Sequence, residues 1–157
     1  MNIQYRPVTA NDLLSIQACN IECLPENYQF KYYLYHYISW PRCSWVATSE
    51  GKIVGYVLTK IEEETGKFPW GHITSIAVSL PYRGIGIAEN LMKCAEISLF
   101  HFYKVVSVTL HVRVSNKAAI HLYRDKLGFT VRNTDEKYYA DGEDAFNMIK
   151  TIKPLSN

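Results

Sequence analysis

Pro81-Tyr82-Arg83-Gly84-Ile85-Gly86-Ile87-Ala88 is a glycine-rich turn set between two segments of different period. Before it, His72 to Val78 is a short apolar run of the kind that forms a strand. After it, Ala88, Leu91, Met92, Ala95, Leu99 and Phe102 fall at helical spacing. Exposed N–H groups and the positive dipole end at a helix start favour a bound phosphate, and glycines let the backbone approach without a Cβ clash. Arg83 adds a charge that a pyrophosphate can use. The turn lacks the Gly-Lys-Ser/Thr ending of a nucleoside-triphosphate loop and the later ribose-binding acid of a dinucleotide fingerprint, so both ligand classes are disfavoured. By itself it reads equally as a structural turn that begins a helix.

Downstream, Val106, Val108, Leu110 and Val112 alternate with Ser107, Thr109 and His111, which predicts a strand and hence a βαβ unit. A further helix is expected from about Asn116 to Lys126, then an extended Gly128-Phe129-Thr130-Val131, and a last extended segment beginning at Tyr138-Tyr139. Upstream, Asn2 to Val8 reads as an opening strand, and Thr9-Ala10-Asn11-Asp12 has the form of a capping box before an apolar helix ending near Cys23. Pro25 stops that helix, and the aromatic stretch Phe30 to Ile38 is a second one, closed by Trp40-Pro41. Ser44 to Thr48 and Ile53 to Ile61 are expected as strands joined at Glu50-Gly51. The sum is a mixed α/β sandwich.

At 157 residues and 48% hydrophobic content the chain can enclose one core and no second domain. Seventeen basic against fifteen acidic residues, with no Lys/Arg run, give direct nucleic-acid binding little support. Cys19, Cys23, Cys43 and Cys94 lack zinc-type pairing or disulfide density; a metal site is not expected, and a reducing, cytoplasmic setting is. No apolar stretch has the length to cross a bilayer, so no membrane association is expected.

Arg83-x-x-Gly86-x-Ala88 resembles the R/Q-x-x-G-x-G/A element of the GNAT acetyltransferase superfamily. Asn116-x-x-Ala119-x-x-Leu122-Tyr123, followed by Gly128-Phe129, looks like its later signature. Leu24-Pro25-Glu26-Asn27-Tyr28, Gly71 to Ser75 and Lys137 to Asp144 are similar to the catalytic subunits of NatA-type N-terminal acetyltransferases. The resemblance implies one GNAT domain over 1–152 with a short tail at 153–157, lacking the long acidic extension of many eukaryotic relatives. It implies a mixed, mostly antiparallel sheet of about seven strands flanked by about four helices.

For chemistry, it implies acetyl-CoA as co-substrate. The Arg83, Gly84, Gly86 and Ala88 loop would hold the pyrophosphate, Ala77 and Val78 would pair with the pantetheine, and Asn116 and Tyr123 would flank the thioester. Asn116 also reads as a helix N-cap and Tyr123 as core packing. A phenol beside the departing sulfur could protonate it or stabilise it by hydrogen bonding. Glu26, His72 and His111 compete for the base; His111 reads equally as a partly exposed strand histidine, and Glu26 as a solvated loop charge. Leu24, Pro25 and Tyr28 would wall the first side chain of the substrate, and Tyr138 and Tyr139 would bond its backbone.

The implied substrates are protein N-termini, nascent chains included, beginning with Ser, Ala, Thr, Gly or Val when an auxiliary helical-repeat subunit, the link to the ribosome, is bound. Acidic N-termini are implied for the catalytic subunit alone. The aromatic helix suits such docking and also suits burial on the sheet. An α-amino group, with a pKa of about 7.7 to 8.0, is partly neutral at cellular pH, whereas lysine, at about 10.4, is not. Alternatives are a lysine or small-amine acetyltransferase and, in another class, an inactive acyl-CoA-binding scaffold.

Overall fold

The apolar alternation of the strands lets one sheet bury both faces, and helices on each side supply the cover. The computed structural model describes residues 2–152, so the tail expected at 153–157 lies outside the described residues. The strands are β1 (Ile3–Pro7), β2 (Trp45–Ser49), β3 (Lys52–Glu62), β4 (Trp70–Val78), β5 (Ser107–Arg113), β6 (Thr130–Asp135) and β7 (Ala145–Thr151). They form one sheet in the order β1-β2-β3-β4-β5-β7-β6. All neighbours are antiparallel except β4 and β5, as the right-handed helical crossover between them requires.

Helices α1 (Leu13–Cys23) and α2 (Phe30–Ser39) cover one face. Leu13, Ile16, Cys19 and Tyr33 pack there on Val46, Tyr56, Leu58 and Ala77. Helix α3 (Ile87–Tyr103) covers the other with Leu91, Met92, Ala95 and Leu99. A Cβ on Gly71 would stand 2.7 Å from Leu99, so β4 and α3 meet where only glycine fits. Truncating a fully buried leucine such as Leu99 to alanine costs about 2–5 kcal/mol in such a core.

Strands β4 and β5 pair only at Gly71–Ile73 against Val108–Leu110 and then part, which leaves the edge of β4 open beyond Ile73. Two bulges matter for what faces that opening. Leu58 pairs with Ser75 and Thr59 with Ile73, so Thr74 is the extra residue of β4. Val131 pairs with Met148 and Asn133 with Asn147, so Arg132 is the extra residue of β6. Each bulge reverses which sheet face the following residues address.

The structure departs from the sequence reading in three places. The Thr9–Asp12 box caps a 3-10 turn at Ala10–Asp12, and α1 proper begins at Leu13; the Asp12 carboxylate accepts from the Thr9 N–H at 2.7 Å but also pairs with Arg6, which pulls the turn tight against β1. The helix expected over Asn116 to Lys126 is one α turn, α4 (Lys117–His121), that widens into a π turn at Leu122–Lys126, with the Leu127 N–H donating to the Leu122 carbonyl. The aromatic helix buries Tyr33 fully on the sheet and leaves Tyr35 half exposed. Tyr138-Tyr139 does not begin a strand. The two tyrosines stand in a loop turned by positive φ at Lys137 and Gly142, where the Tyr139 carbonyl accepts from the Gly142 N–H and its N–H donates to the Glu143 carbonyl.

Candidate active site

The parting of β4 and β5 opens two adjoining cavities. The first, about 590 Å³, runs along Ala77, Val78, Arg83, Gly84, Gly86 and Ala88. The second, about 720 Å³, lies under Pro25, Glu26, Tyr28, His72, His111 and Tyr138 with Tyr139. Cys23, Leu24, Ile76, Asn116, Ala119 and Tyr123 line both, so the two meet beside the open edge of β4. Every sequence-derived site residue falls on one cavity or at the junction.

The first cavity is walled largely by backbone. Gly84 and Gly86 have φ of +82 and +87, the left-handed region that side chains resist, and Gly86 is the N-cap of α3. The turn therefore presents the first N–H groups of a 17-residue helix to the cavity. Arg83 is partly committed: its Nε donates to the Val78 carbonyl at 2.7 Å, which pins the side chain beside the turn and leaves its terminal nitrogens for an anion. The Val78 carbonyl, also approached by Cys23 Sγ at 3.7 Å, is thereby taken, and the open edge of β4 offers the remaining backbone groups. These features fit a long, anion-bearing group with an amide-rich arm.

At the junction Asn116 is the N-cap of α4, its Oδ1 accepting from the Ala119 N–H at 3.1 Å. Tyr123 sits on the π turn with its ring edge-on to Phe129, and burial pushes its phenol up to about 12. It stays protonated across the cellular pH range.

The second cavity is built from side chains that converge from separate segments. The loop after α1 is held by buried Asn20, whose Nδ2 donates to the Glu26 carbonyl and to Tyr56 Oη, while its Oδ1 accepts from Asn27. Tyr56 continues to Ser75 at 2.7 Å, so a polar chain ties this loop to β4. Tyr28 reaches the Thr74 carbonyl at 3.4 Å, and His36 of α2 bonds Thr74 Oγ1 at 2.7 Å. Among the described residues Glu26 Oε2 and His111 Nδ1 are buried without a hydrogen-bond partner. Glu26 Oε1 faces Arg113 Nε at 3.4 Å, and Arg113 also binds Asp141 at 2.7 Å and Glu143 at 3.0 Å under the ring of Tyr139.

The two histidines lie 5.4 Å apart by ring centre. His72 Nδ1 bonds Thr109 Oγ1 at 2.8 Å, and burial, with His111 adding to it, pushes its pKa down to about 3. His111 stacks on Tyr138 at 4.2 Å. Its Nε2 bonds Asp135 at 2.8 Å.

Several site residues escaped the sequence reading. Arg113 shares the strand phase of Thr109 and His111, and that phase could have revealed it. Asn20, Tyr56 and Ser75 carried only the weak signal of polar atoms inside apolar runs. Asp135 carried none, because the bulge at Arg132 sets which way it faces. Among the described residues no helix is long and apolar enough to cross a membrane.

Comparison with known proteins matches this geometry. The acetyltransferase (GNAT) family pattern covers residues 13–129. The chain is 53% identical over 155 residues to the N-terminal acetyltransferase A complex catalytic subunit ard1 of Schizosaccharomyces pombe, covering 98% of this chain and 88% of that protein. It is 51% identical over 153 residues to the corresponding subunit NAA10 of Arabidopsis thaliana, covering 97% and 79%. Among solved structures, a chain of the NatC complex bound to Gag peptide and CoA superposes with a TM-score of 0.87 at 27% identity, covering 98% of this chain and all of that one. The chain accordingly belongs to the GNAT acetyltransferase family, in its branch of N-terminal acetyltransferase catalytic subunits.

Proposed function

We propose that this chain takes acetyl-CoA into the first cavity and a protein N-terminus into the second, and transfers the acetyl group where the two meet. The observation that carries this reading is the junction itself: Asn116 and Tyr123 border both cavities beside an open strand edge. The helix start at Gly86 and the terminal nitrogens of Arg83 suit the pyrophosphate, and the open edge of β4 suits the pantetheine amides.

Acetyl-CoA supplies an activated acyl group. The chain's residues do the rest. Glu26 meets the substrate ammonium with its unpartnered oxygen, and a histidine takes one proton so that the neutral amine can attack. The new C–N bond forms, the C–S bond breaks, and the second amine proton ends on the sulfur. Tyr123, hard to ionise, donates a hydrogen bond to that sulfur. Leu24, Pro25 and Tyr28 limit the first side chain to small ones such as Ser, Ala, Thr, Gly or Val. Tyr138 and Tyr139, on the loop braced by Arg113, hold the following backbone.

The same reading extends to partners. Leu14 and Ile21 lie exposed seven residues apart on α1, and Ile38 and half-exposed Tyr35 lie on α2, a surface suited to an auxiliary helical-repeat subunit that brings nascent chains from the ribosome. The α1–α2 loop carries Glu26, so docking there would act on the site and widen or narrow the choice between small and acidic N-termini. Four free thiols fit a reducing cytoplasm.

The test is acetyl transfer to peptides beginning with Ser, Asp or Met, each with and without a blocked N-terminus and each with one internal lysine. Turnover of unblocked peptides only, with Glu26→Ala lowering kcat/KM by about 100-fold, is expected. Turnover that survives the block would replace this reading with a lysine acetyltransferase, and CoA binding without transfer would make the chain a scaffold.

A further inference from the structure

Which histidine takes the proton is decided by what each ring nitrogen touches. His72 is the weaker candidate, because its burial holds it far below the pH at which an amine must be deprotonated. His111 differs in three ways. Its Nε2 faces a carboxylate at 2.8 Å, and a carboxylate only accepts, so the ring proton resides on Nε2. Its Nδ1 then carries a lone pair that is buried and unpartnered among the described residues, on a side chain that lines the second cavity. Its plane is fixed by stacking on Tyr138, with 14° between the rings.

The carboxylate is itself a construction of the fold. Asp135 pairs with Ala145, and Arg113 pairs with Ala145 from the other side, so Asp135, Arg113 and His111 share one sheet face. Without the extra residue at Arg132, Asp135 would keep the phase of Val131, which faces the α3 side with Met148. The second oxygen of Asp135 accepts from Asn133 Nδ2 at 2.8 Å, which holds the carboxylate in place.

We propose that Asp135 is the positioning residue of the proton transfer, holding His111 in the tautomer whose Nδ1 accepts a proton from the substrate ammonium. This rests on the acetyl-transfer reading above. In the step, the ammonium N–H breaks and His111 Nδ1–H forms, leaving a neutral amine and an imidazolium paired with Asp135. His111 then releases the proton to solvent. Asp135 touches neither substrate nor acetyl-CoA, and acts through His111 alone.

The experiment combines kinetics on a Ser-peptide with 15N shifts of the His111 ring in wild type, Asp135→Asn and Asp135→Glu. Asparagine can donate to Nε2 and so move the ring proton to Nδ1. Asp135→Asn is expected to lower kcat by about 10- to 100-fold with both KM values within about 2-fold, and to show the opposite tautomer. Asp135→Glu is expected to restore most of the rate and the wild-type tautomer. An active Asp135→Asn enzyme with unchanged kcat, or one with an unchanged tautomer, overturns the proposal. So does a loss of rate that Asp135→Glu does not rescue and that follows a lowered melting temperature. If wild type transfers no acetyl group, the functional reading falls and takes the catalytic part of this proposal with it; an unchanged tautomer in an active enzyme defeats this proposal alone.

Discussion

The two cavities are built by different means. The first is made mainly from one stretch, Ile76 to Glu89, with α4, the π turn after it and Cys23 and Leu24 at its border, and its working groups are largely backbone atoms shaped by glycine beside Arg83. The second is made from side chains of several segments: the loop after α1, β4, β5, α4 with the π turn that follows it, and the loop before β7. A backbone site is insensitive to most substitutions and sensitive to those that alter φ. A side-chain site fails one group at a time, and each failure has its own kinetic signature.

That contrast can be sharpened at the junction, where both halves meet. If the phenol acts on the departing sulfur as proposed, removing the Tyr123 hydroxyl in Tyr123→Phe should lower kcat by about 100-fold with the KM for acetyl-CoA nearly unchanged. A raised KM instead would place Tyr123 in binding.

In the second cavity, Arg113→Ala strips Glu26, Asp141 and Glu143 of their shared cation and Tyr139 of its guanidinium. A charged hydrogen bond of about 2 kcal/mol predicts a fall of about 30-fold in kcat/KM for the peptide. Titration with acetyl-CoA should give the wild-type affinity, and a weakened affinity would break the division between the halves.

In the first cavity, Gly86→Ala forces a side chain into left-handed backbone at about 1 kcal/mol, which raises the KM for acetyl-CoA about 5-fold and leaves kcat alone. Replacing Ala88 by serine, whose side chain does not alter φ, should do less.

The smallest expected effect on rate is a pH effect on stability. Burial pushes His36 down to about 4 from an ordinary 6.5. Between those values the unfolded chain binds a proton that the folded chain refuses, so stability is complete above about pH 6.5 and falls as the pH drops toward about 4. Melting curves should show this slope, and His36→Gln should flatten it. An equal slope in the variant would assign the acid sensitivity elsewhere, His72 being the next group to examine.

Much of this was legible in the residues. The strand-turn-helix at Pro81–Ala88 was legible as a glycine turn that starts a helix, and it lines the first cavity; Asn116 and Tyr123, which the resemblance singled out, line both cavities. The aromatic stretch 30–38 was legible as a helix but not as a helix with one buried and one exposed face. The segment at Tyr138-Tyr139 misled, because apolar tyrosines look like a strand until the turn at Gly142 is known.

What the sequence determined by itself was local: glycines that adopt positive φ, capping residues, and periods that set strands and helices. Those signals depend on neighbours within a few positions and survive without tertiary contacts. What only the tertiary structure decided was the facing of the polar side chains. Strict alternation would point His72 with Ile76 and Val78 toward α3, and Asp135 with Val131 the same way. The bulges at Thr74 and Arg132 turn both onto the face of His111. A bulge is a mismatch between two strands, so no single strand's sequence contains it.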